Sequence, residues 1–103
     1  AGANALAMLG EKERSLEWIR RALFLDPDNL VMRYNLGCAL IQDHDAIDEA
    51  VKTFQPFFEK LQSPMHLRHL EVDPDLGPIR DDPRFEKMLT AAKERLGMQK
   101  AAQ

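Results

Sequence analysis

The stretch Leu30–Phe58, LVMRYNLGCALIQDHDAIDEAVKTFQPFF, decides how the rest of the chain is interpreted. Five of its residues stand at the spacings of a unit of two antiparallel helices: Leu36, Gly37, Leu40, Ala50 and Phe54. We expect Gly37 and Ala50 to lie where the two helices approach most closely, because a larger side chain there would hold the backbones apart. The three larger residues would fill the space beside that contact, since protein interiors pack near crystal density.

This spacing resembles the tetratricopeptide repeat, a two-helix unit of about 34 residues with the pattern W-x2-L-G-x2-Y…A-x3-F…P. The stretch departs from the pattern at the tryptophan position, where Arg33 stands, and it has no clean closing proline. An offset of about 35 residues relates residues 1–29 to the same pattern, with Ser15 and Ile19 in the places of Ala50 and Phe54. The resemblance implies an all-α fold, a right-handed α-solenoid of antiparallel helix pairs.

The repeat pattern divides the chain into units of one helical domain. We expect a single domain over residues 1–97, followed by a frayed tail over residues 98–103. Residues 1–29 would be a truncated first repeat, residues 30–62 a second repeat, and residues 63–97 a degenerate third unit. The last unit would close the exposed end of the stack, as terminal repeats must.

Local signals then predict where the helices of the first two units begin and end. In the first unit we expect a turn at Leu9-Gly10-Glu11, where Gly10 is free to adopt the left-handed conformation after a helix. The second helix of that unit would end at Asp26-Pro27-Asp28-Asn29, which also offers a cap to the next helix. In the second unit the helices would cover about Leu30–Gln42 and Ala46–Lys60, with a bend or early loosening at Pro56.

The third unit has a different composition. Ser63 and Pro64 are typical of a helix start, with a serine cap and a proline in the first turn, so a short helix follows. The three prolines of the segment 73–83 allow no long helix, and Leu76 and Ile79 are its expected core anchors. Asp82-Pro83 starts a capping helix with one apolar stripe. That stripe consists of Phe85, Met88, Leu89, Ala92 and Leu96.

Composition excludes several classes of protein. The 103 residues carry a net charge of −3, so the chain lacks the basic footprint that nucleic acid requires. No apolar run approaches the roughly 20 residues that span a bilayer, and nothing resembles a secretory signal. The single cysteine, Cys38, cannot form an internal disulfide and indicates a buried free thiol in a reducing compartment. We therefore expect a cytoplasmic protein that binds neither nucleic acid nor membrane.

The sequence offers little for catalysis or for a cofactor. It contains no glycine-rich phosphate loop and no HExxH or CxxC motif. His66 and His69 could share a metal on one helix face, but no third ligand stands at a fixed spacing, so surface histidines are the favoured interpretation. Asp73-x-Asp75-x-Gly77 resembles a calcium loop except that Arg84 occupies the position of the bidentate glutamate, which favours turn chemistry. We expect no catalytic residues, no metal and no cofactor.

Binding to a protein or peptide segment, in cis or in trans, is the favoured function. By resemblance to the family, ligand-facing positions of the first helices fall on a concave strip: Asn4, Ala7, Met8, Val31, Tyr34, Asn35, Cys38, Ile41 and Gln42. Tyr34 would be its anchor. Alternatively, a helix over Met65–Glu71 covers Tyr34 and Ile41. Trp18 is expected to be core, with a partner contact as the alternative.

The whole chain also resembles the C-terminal tetratricopeptide region of bacterial class III adenylate/guanylate cyclase-like signalling proteins. Five blocks carry this resemblance: Leu9–Arg14, Glu17–Leu23, Asp26–Asn29, Arg33–Leu40 and Asp73–Phe85. It implies an upstream cyclase domain, and it makes regulation or dimerisation of a nucleotide cyclase the alternative function. None of the cyclase catalytic residues can be placed on this chain.

Some members of the repeat family grip a chaperone's C-terminal carboxylate with asparagines and basic residues. Asn4 and Asn35 resemble the two asparagine positions of that clamp. The positions that correspond to its basic residues are His66 and Leu70, so a carboxylate clamp is the least favoured function.

Overall fold

The structure is a computed structural model, described for residues 2–98, with side chains from residue 9 onward. Every regular element in this part of the chain is a helix, which confirms the predicted all-α class. The elements in chain order are α1 (Gly2–Leu25), α2 (Leu30–His44), α3 (Ile47–Lys60), α4 (Pro64–Glu71), a 3₁₀ helix (Pro74–Ile79) and α5 (Pro83–Arg95).

Helix α1 runs through Leu9, Gly10 and Glu11 without a break, so the turn predicted there is wrong. The residues that follow Gly10 are strong helix formers, no proline intervenes, and one glycine inside a helix costs only about 1 kcal/mol relative to alanine. Residues 2–25 therefore form one helix, about 36 Å long, and not an antiparallel pair. The described side chains of α1 that pack on the core are Leu16, Ile19, Ala22 and Leu23.

Helices α2 and α3 form an antiparallel hairpin. Asn29 caps α2, since its side-chain oxygen accepts a hydrogen bond from the Met32 backbone N–H at 3.0 Å, as predicted. Asp45 makes the turn in the left-handed conformation (φ 51°), which aspartate tolerates better than most residues. A Cβ atom on Gly37 would lie 2.6 Å from two ring carbons of Phe54. This confirms that the helices approach closely at Gly37.

Helix α3 continues past Pro56 to Lys60, so it does not end early at the proline. Phe57 and Phe58 follow the proline and are buried, with exposed fractions of 4% and 1%, so core packing holds the last turn in place. The guanidinium of Arg95 also donates hydrogen bonds to the Phe58 carbonyl oxygen at 2.9 Å and to that of Leu61 at 2.6 Å. These bonds satisfy carbonyl groups at the end of α3 that have no partner within the helix.

The predicted starts of α4 and α5 are confirmed. The Ser63 hydroxyl accepts a hydrogen bond from the His66 N–H, and the Asp82 carboxylate accepts one from the Arg84 N–H. Hydrogen bonds from the side chain and backbone of Arg84 lower the pKa of Asp82 to about 2, so this cap is charged at neutral pH. Leu76 and Ile79 are fully buried, which confirms them as the anchors of the proline-rich segment.

An aromatic cluster joins α2, α3 and α5. Tyr34 packs on Phe57 with ring centroids 5.2 Å apart, Phe57 meets Phe58 edge to face at 5.3 Å, and Phe58 meets Phe85 at 5.5 Å. Edge-to-face pairs of this kind add about 0.5–1.5 kcal/mol beyond the burial of their area. The cluster thereby fixes α5 against α3.

Helices α3 and α5 run in the same direction. Near their beginnings the guanidinium of Arg84 lies 2.9 Å from the Asp48 carboxylate. Near their ends Arg95 binds the Phe58 and Leu61 carbonyls. Within residues 2–98, no helix combines the length and the apolar character that crossing a bilayer requires.

Candidate functional site

The residues of the predicted concave strip differ in their exposure to solvent. The side chains of Asn4, Ala7 and Met8 lie outside the described part of the chain. Val31, Asn35 and Gln42 are exposed, Tyr34 and Cys38 are half-buried, and Ile41 is buried in the core. A partner could therefore reach part of this strip, but Ile41 is held inside the protein.

Tyr34 is engaged within the fold. Its ring packs against Phe54 and Phe57, and its hydroxyl donates a hydrogen bond to the Asp73 carboxylate. Burial, followed by this hydrogen bond, raises the pKa of Tyr34, and the hydrogen bond from Tyr34 lowers the pKa of Asp73. The Tyr34 hydroxyl is thus bound by Asp73, the N-cap of the 3₁₀ helix. The sequence suggested that a helix over Met65–Glu71 would cover Tyr34.

Cys38 is a half-buried free thiol with a raised pKa. Burial is the main cause that raises the pKa of Cys38 to about 11; the charges of Asp75 and Asp73 raise it further, and the neighbouring Tyr34 hydroxyl lowers it. A thiol becomes a nucleophile only as the thiolate. The described side chains that affect the pKa of Cys38 are Tyr34, Asp73 and Asp75, and none of them is a cation that would stabilise the thiolate.

We expect alkylation of Cys38 by iodoacetamide at pH 7 to be about a hundredfold slower in the folded protein than in urea. The reason is that the pKa of Cys38 rises from the ordinary 9.0 to about 11, which removes about 99% of the thiolate. The folded-state rate should keep rising with pH up to about 11. The measurement is mass spectrometry of the alkylated protein against time, and equal rates in the two states would contradict this burial.

Three other residues singled out by the sequence are placed as follows. Trp18 is 62% exposed, so its predicted place in the core is wrong. His66 is exposed and packs edge-on to the ring of Phe57 at 5.8 Å. Leu70, at a basic position of the carboxylate clamp, is only 4% exposed. Among residues 2–98, no three histidine, cysteine or carboxylate side chains gather in a way that could hold a metal ion.

A candidate binding site is a groove between α3 and α5, which we call the α3/α5 groove. Its volume is about 580 Å³, within the range of about 300–1,000 Å³ that ligand sites usually have. The apolar part of its lining consists of Val51 and Phe58 from α3 and Met88 and Ala92 from α5. Val51, Phe58 and Ala92 also belong to the core, so this part of the groove is held by the fold.

Polar side chains form the rim of the α3/α5 groove. On α3 these are Lys52, Gln55 and Glu59, and Gln55 donates a hydrogen bond to the Glu59 carboxylate at 3.1 Å. On α5 the polar rim residues are Arg84, Lys87 and Arg95, and the methyl group of Ala91 lines the groove beside them. An apolar floor with a polar rim is the anatomy of a protein interface.

Several rim residues are already engaged. Arg84 forms ion pairs with Asp48 and Asp82, both at 2.9 Å, and its pKa is raised by these partners. Within residues 2–98, Lys52 and Lys87 take part in no ion pair. The rim thus presents two ammonium groups that form no ion pair with the described residues, although Lys52 lies near enough to Glu49 to lower the pKa of that carboxyl.

Sequence reasoning missed this groove. A signal was present, because Lys52, Gln55 and Glu59 recur at the spacing of one helix face, as do Arg84, Lys87 and Ala91. For α5, the prediction used only the apolar stripe, which indicates a helix that caps the end of the stack. Nothing local in the sequence shows that the polar edges of α3 and α5 lie side by side.

Comparisons of the chain with protein-family models, curated proteins and solved structures gave no match.

Proposed function

We propose that the chain is a non-catalytic helical-repeat module that binds a segment of a protein, in cis or in trans, in the α3/α5 groove. The groove carries this proposal because its floor is apolar and anchored in the core, while its rim is polar. A segment with apolar side chains on one face would gain hydrophobic burial on the floor. Its polar flanks would stay at the rim, as in other grooves that bind helices.

The wider architecture of the proposal is a solenoid resembling tetratricopeptide repeats. The α2/α3 hairpin supports it, because Gly37 and the fully buried Ala50 stand at the positions where the repeat pattern requires small residues. The unbroken α1 departs from a first repeat, so the support is greatest for residues 30–62. By sequence resemblance, the module would belong to a bacterial cytoplasmic signalling protein.

In the test, helical peptides that bind the purified protein are selected from a displayed library. The affinity of each selected peptide is then measured for the unaltered protein and for two variants. Ala91→Trp places a bulky ring in the groove, so we expect affinity to fall about tenfold or more. Thr90→Trp is the matched control, because Thr90 is exposed on the same helix but does not line the groove. It should leave affinity unchanged.

Two results would contradict the proposed function. One is a set of binding peptides whose affinity Ala91→Trp does not change. The other is turnover of a nucleoside triphosphate by the purified chain with Mg²⁺, at a rate that follows the protein through purification and that Ala91→Trp abolishes. The first would move the binding site elsewhere, and the second would make the groove catalytic.

A further inference from the structure

The two ends of the α3/α5 groove differ in charge. Because α3 and α5 run in the same direction, Lys52, Arg84 and Lys87 lie toward the beginnings of both helices. Toward their ends, the rim carries Glu59 and Arg95. One end is therefore basic, and the other has charges of both signs.

Only part of the basic end is available to a ligand. Arg84 is held by Asp48 and Asp82, whereas the described residues offer Lys52 and Lys87 no ion pair. At the opposite end the Arg95 guanidinium donates to backbone carbonyl groups, and Glu59 accepts from Gln55. Hydrogen bonds to neutral groups leave both charges in place, so a partner meets two ammonium groups at one end and a pair of opposite charges, Glu59 and Arg95, at the other.

The floor between these ends suits a helix. Met88 and Ala92 are four residues apart on α5, and Val51 and Phe58 are seven apart on α3, so apolar contacts repeat along the groove at helical spacing. From Lys52 to Glu59 the rim extends about 10 Å, or two helical turns. A helix lying in it would use apolar anchors at positions i, i+4 and i+7.

We infer that the segment bound in the α3/α5 groove is an amphipathic helix with acidic residues in its C-terminal turns, lying antiparallel to α3 and α5. This inference rests on the proposed function. Carboxylates in those turns would meet Lys52 and Lys87, and the negative end of the ligand's helix dipole would face the same two cations. The reverse orientation would place the acidic residues beside Glu59 and Arg95, whose charges offset each other, and it is disfavoured because it gives up the attraction to Lys52 and Lys87.

The experiment uses three synthetic peptides of about 18 residues with the same apolar face, long enough to hold helical structure. One has glutamates in its C-terminal turns, one has them in its N-terminal turns, and one has glutamines at all these positions. Fluorescence anisotropy measures their affinities for the whole chain. We expect the C-terminal glutamate peptide to bind about tenfold more tightly than the glutamine peptide at low salt, and this advantage to shrink as salt increases.

Two double variants identify the cations that are responsible. Lys52→Gln with Lys87→Gln should remove the tenfold advantage and leave the affinity of the glutamine peptide unchanged. Lys12→Gln with Arg68→Gln removes the same net charge from exposed residues that do not line the groove, and it should preserve the advantage. Circular dichroism checks that both double variants remain folded.

The outcomes separate the inference from the proposed function. If all three peptides bind with equal affinity and Ala91→Trp lowers the affinity of each, the groove binds protein segments but the inference of an acidic partner is wrong. If the N-terminal glutamate peptide binds most tightly, the orientation is wrong. If none of the three binds while library peptides do bind in the groove, the helical partner is wrong. If no peptide binds there at all, both proposals fail.

Discussion

Replacing Gly37 by leucine is expected to lower the free energy of unfolding by about 3 kcal/mol or more. The first added carbon alone would lie 2.6 Å from two ring carbons of Phe54, far inside van der Waals contact. Phe54 is fully buried and packs against Tyr34 and Phe58, so its ring cannot move aside without disturbing the aromatic cluster. A loss of this size is a large share of the 5–15 kcal/mol that stabilises a typical domain.

Gly10→Leu is the matched control, since Gly10 also lies inside a helix. No described atom outside the backbone of α1 lies within 4 Å of a Cβ atom placed there, so the better helix propensity of leucine should stabilise the protein by up to about 1 kcal/mol. Urea unfolding followed by circular dichroism measures both variants. Destabilisation by Gly10→Leu would contradict the unbroken α1, because a leucine would be strained in a left-handed turn.

These two glycines show what the sequence could and could not predict. At Gly37 the prediction followed from a pattern that spans both helices of a hairpin, with Ala50 and Phe54 on the facing helix, and it was confirmed. At Gly10 the prediction depended on residues 2–8 folding back as a separate helix. The local signal, a glycine followed by charged helix formers, is compatible with both a turn and a continuous helix, and the repeat pattern favoured the turn. In the structure the helix-forming residues after Gly10 outweigh the cost of about 1 kcal/mol that one glycine adds inside a helix.

Burial was predictable where short-range patterns determine it. Leu76 and Ile79 were identified as core anchors because they are the apolar residues of a proline-rich segment, and both are fully buried. Trp18 was expected in the core, packed against the next helix, yet it is 62% exposed on α1. Large aromatic residues bury on average, but the face of the helix on which one lies depends on the partners of that helix.

The α3/α5 groove required knowledge of distant contacts. Asp48 and Arg84 meet across more than thirty residues of chain, and their pairing shows that α3 and α5 start at the same end. The sequence predicted both helices and the apolar stripe of α5. It could not predict the surface between them, since a groove is formed by the parts of two helices that do not touch.

Replacing Phe85 by alanine is expected to cost about 3–5 kcal/mol and to abolish peptide binding. Phe85 is 1% exposed, and its ring meets Phe58 edge to face at 5.5 Å, so truncation leaves a cavity at the contact that fixes α5 against α3. Phe85→Leu keeps most of the buried volume and should cost clearly less. The measurements are thermal and urea unfolding, with anisotropy of a groove-binding peptide recorded under conditions where each variant is folded.

Phe24→Ala is the control of identical chemistry, because Phe24 is 83% exposed on α1. It should change stability by less than about 0.5 kcal/mol and leave peptide affinity unchanged. Stability and peptide affinity together test whether the fold and the groove both depend on the contact between Phe85 and Phe58. If α5 were held mainly by its ion pairs and by Arg95, Phe85→Ala would lower stability only slightly and binding would persist. We expect the opposite, because exposed ion pairs contribute at most about 1 kcal/mol, whereas a buried aromatic ring contributes several times more.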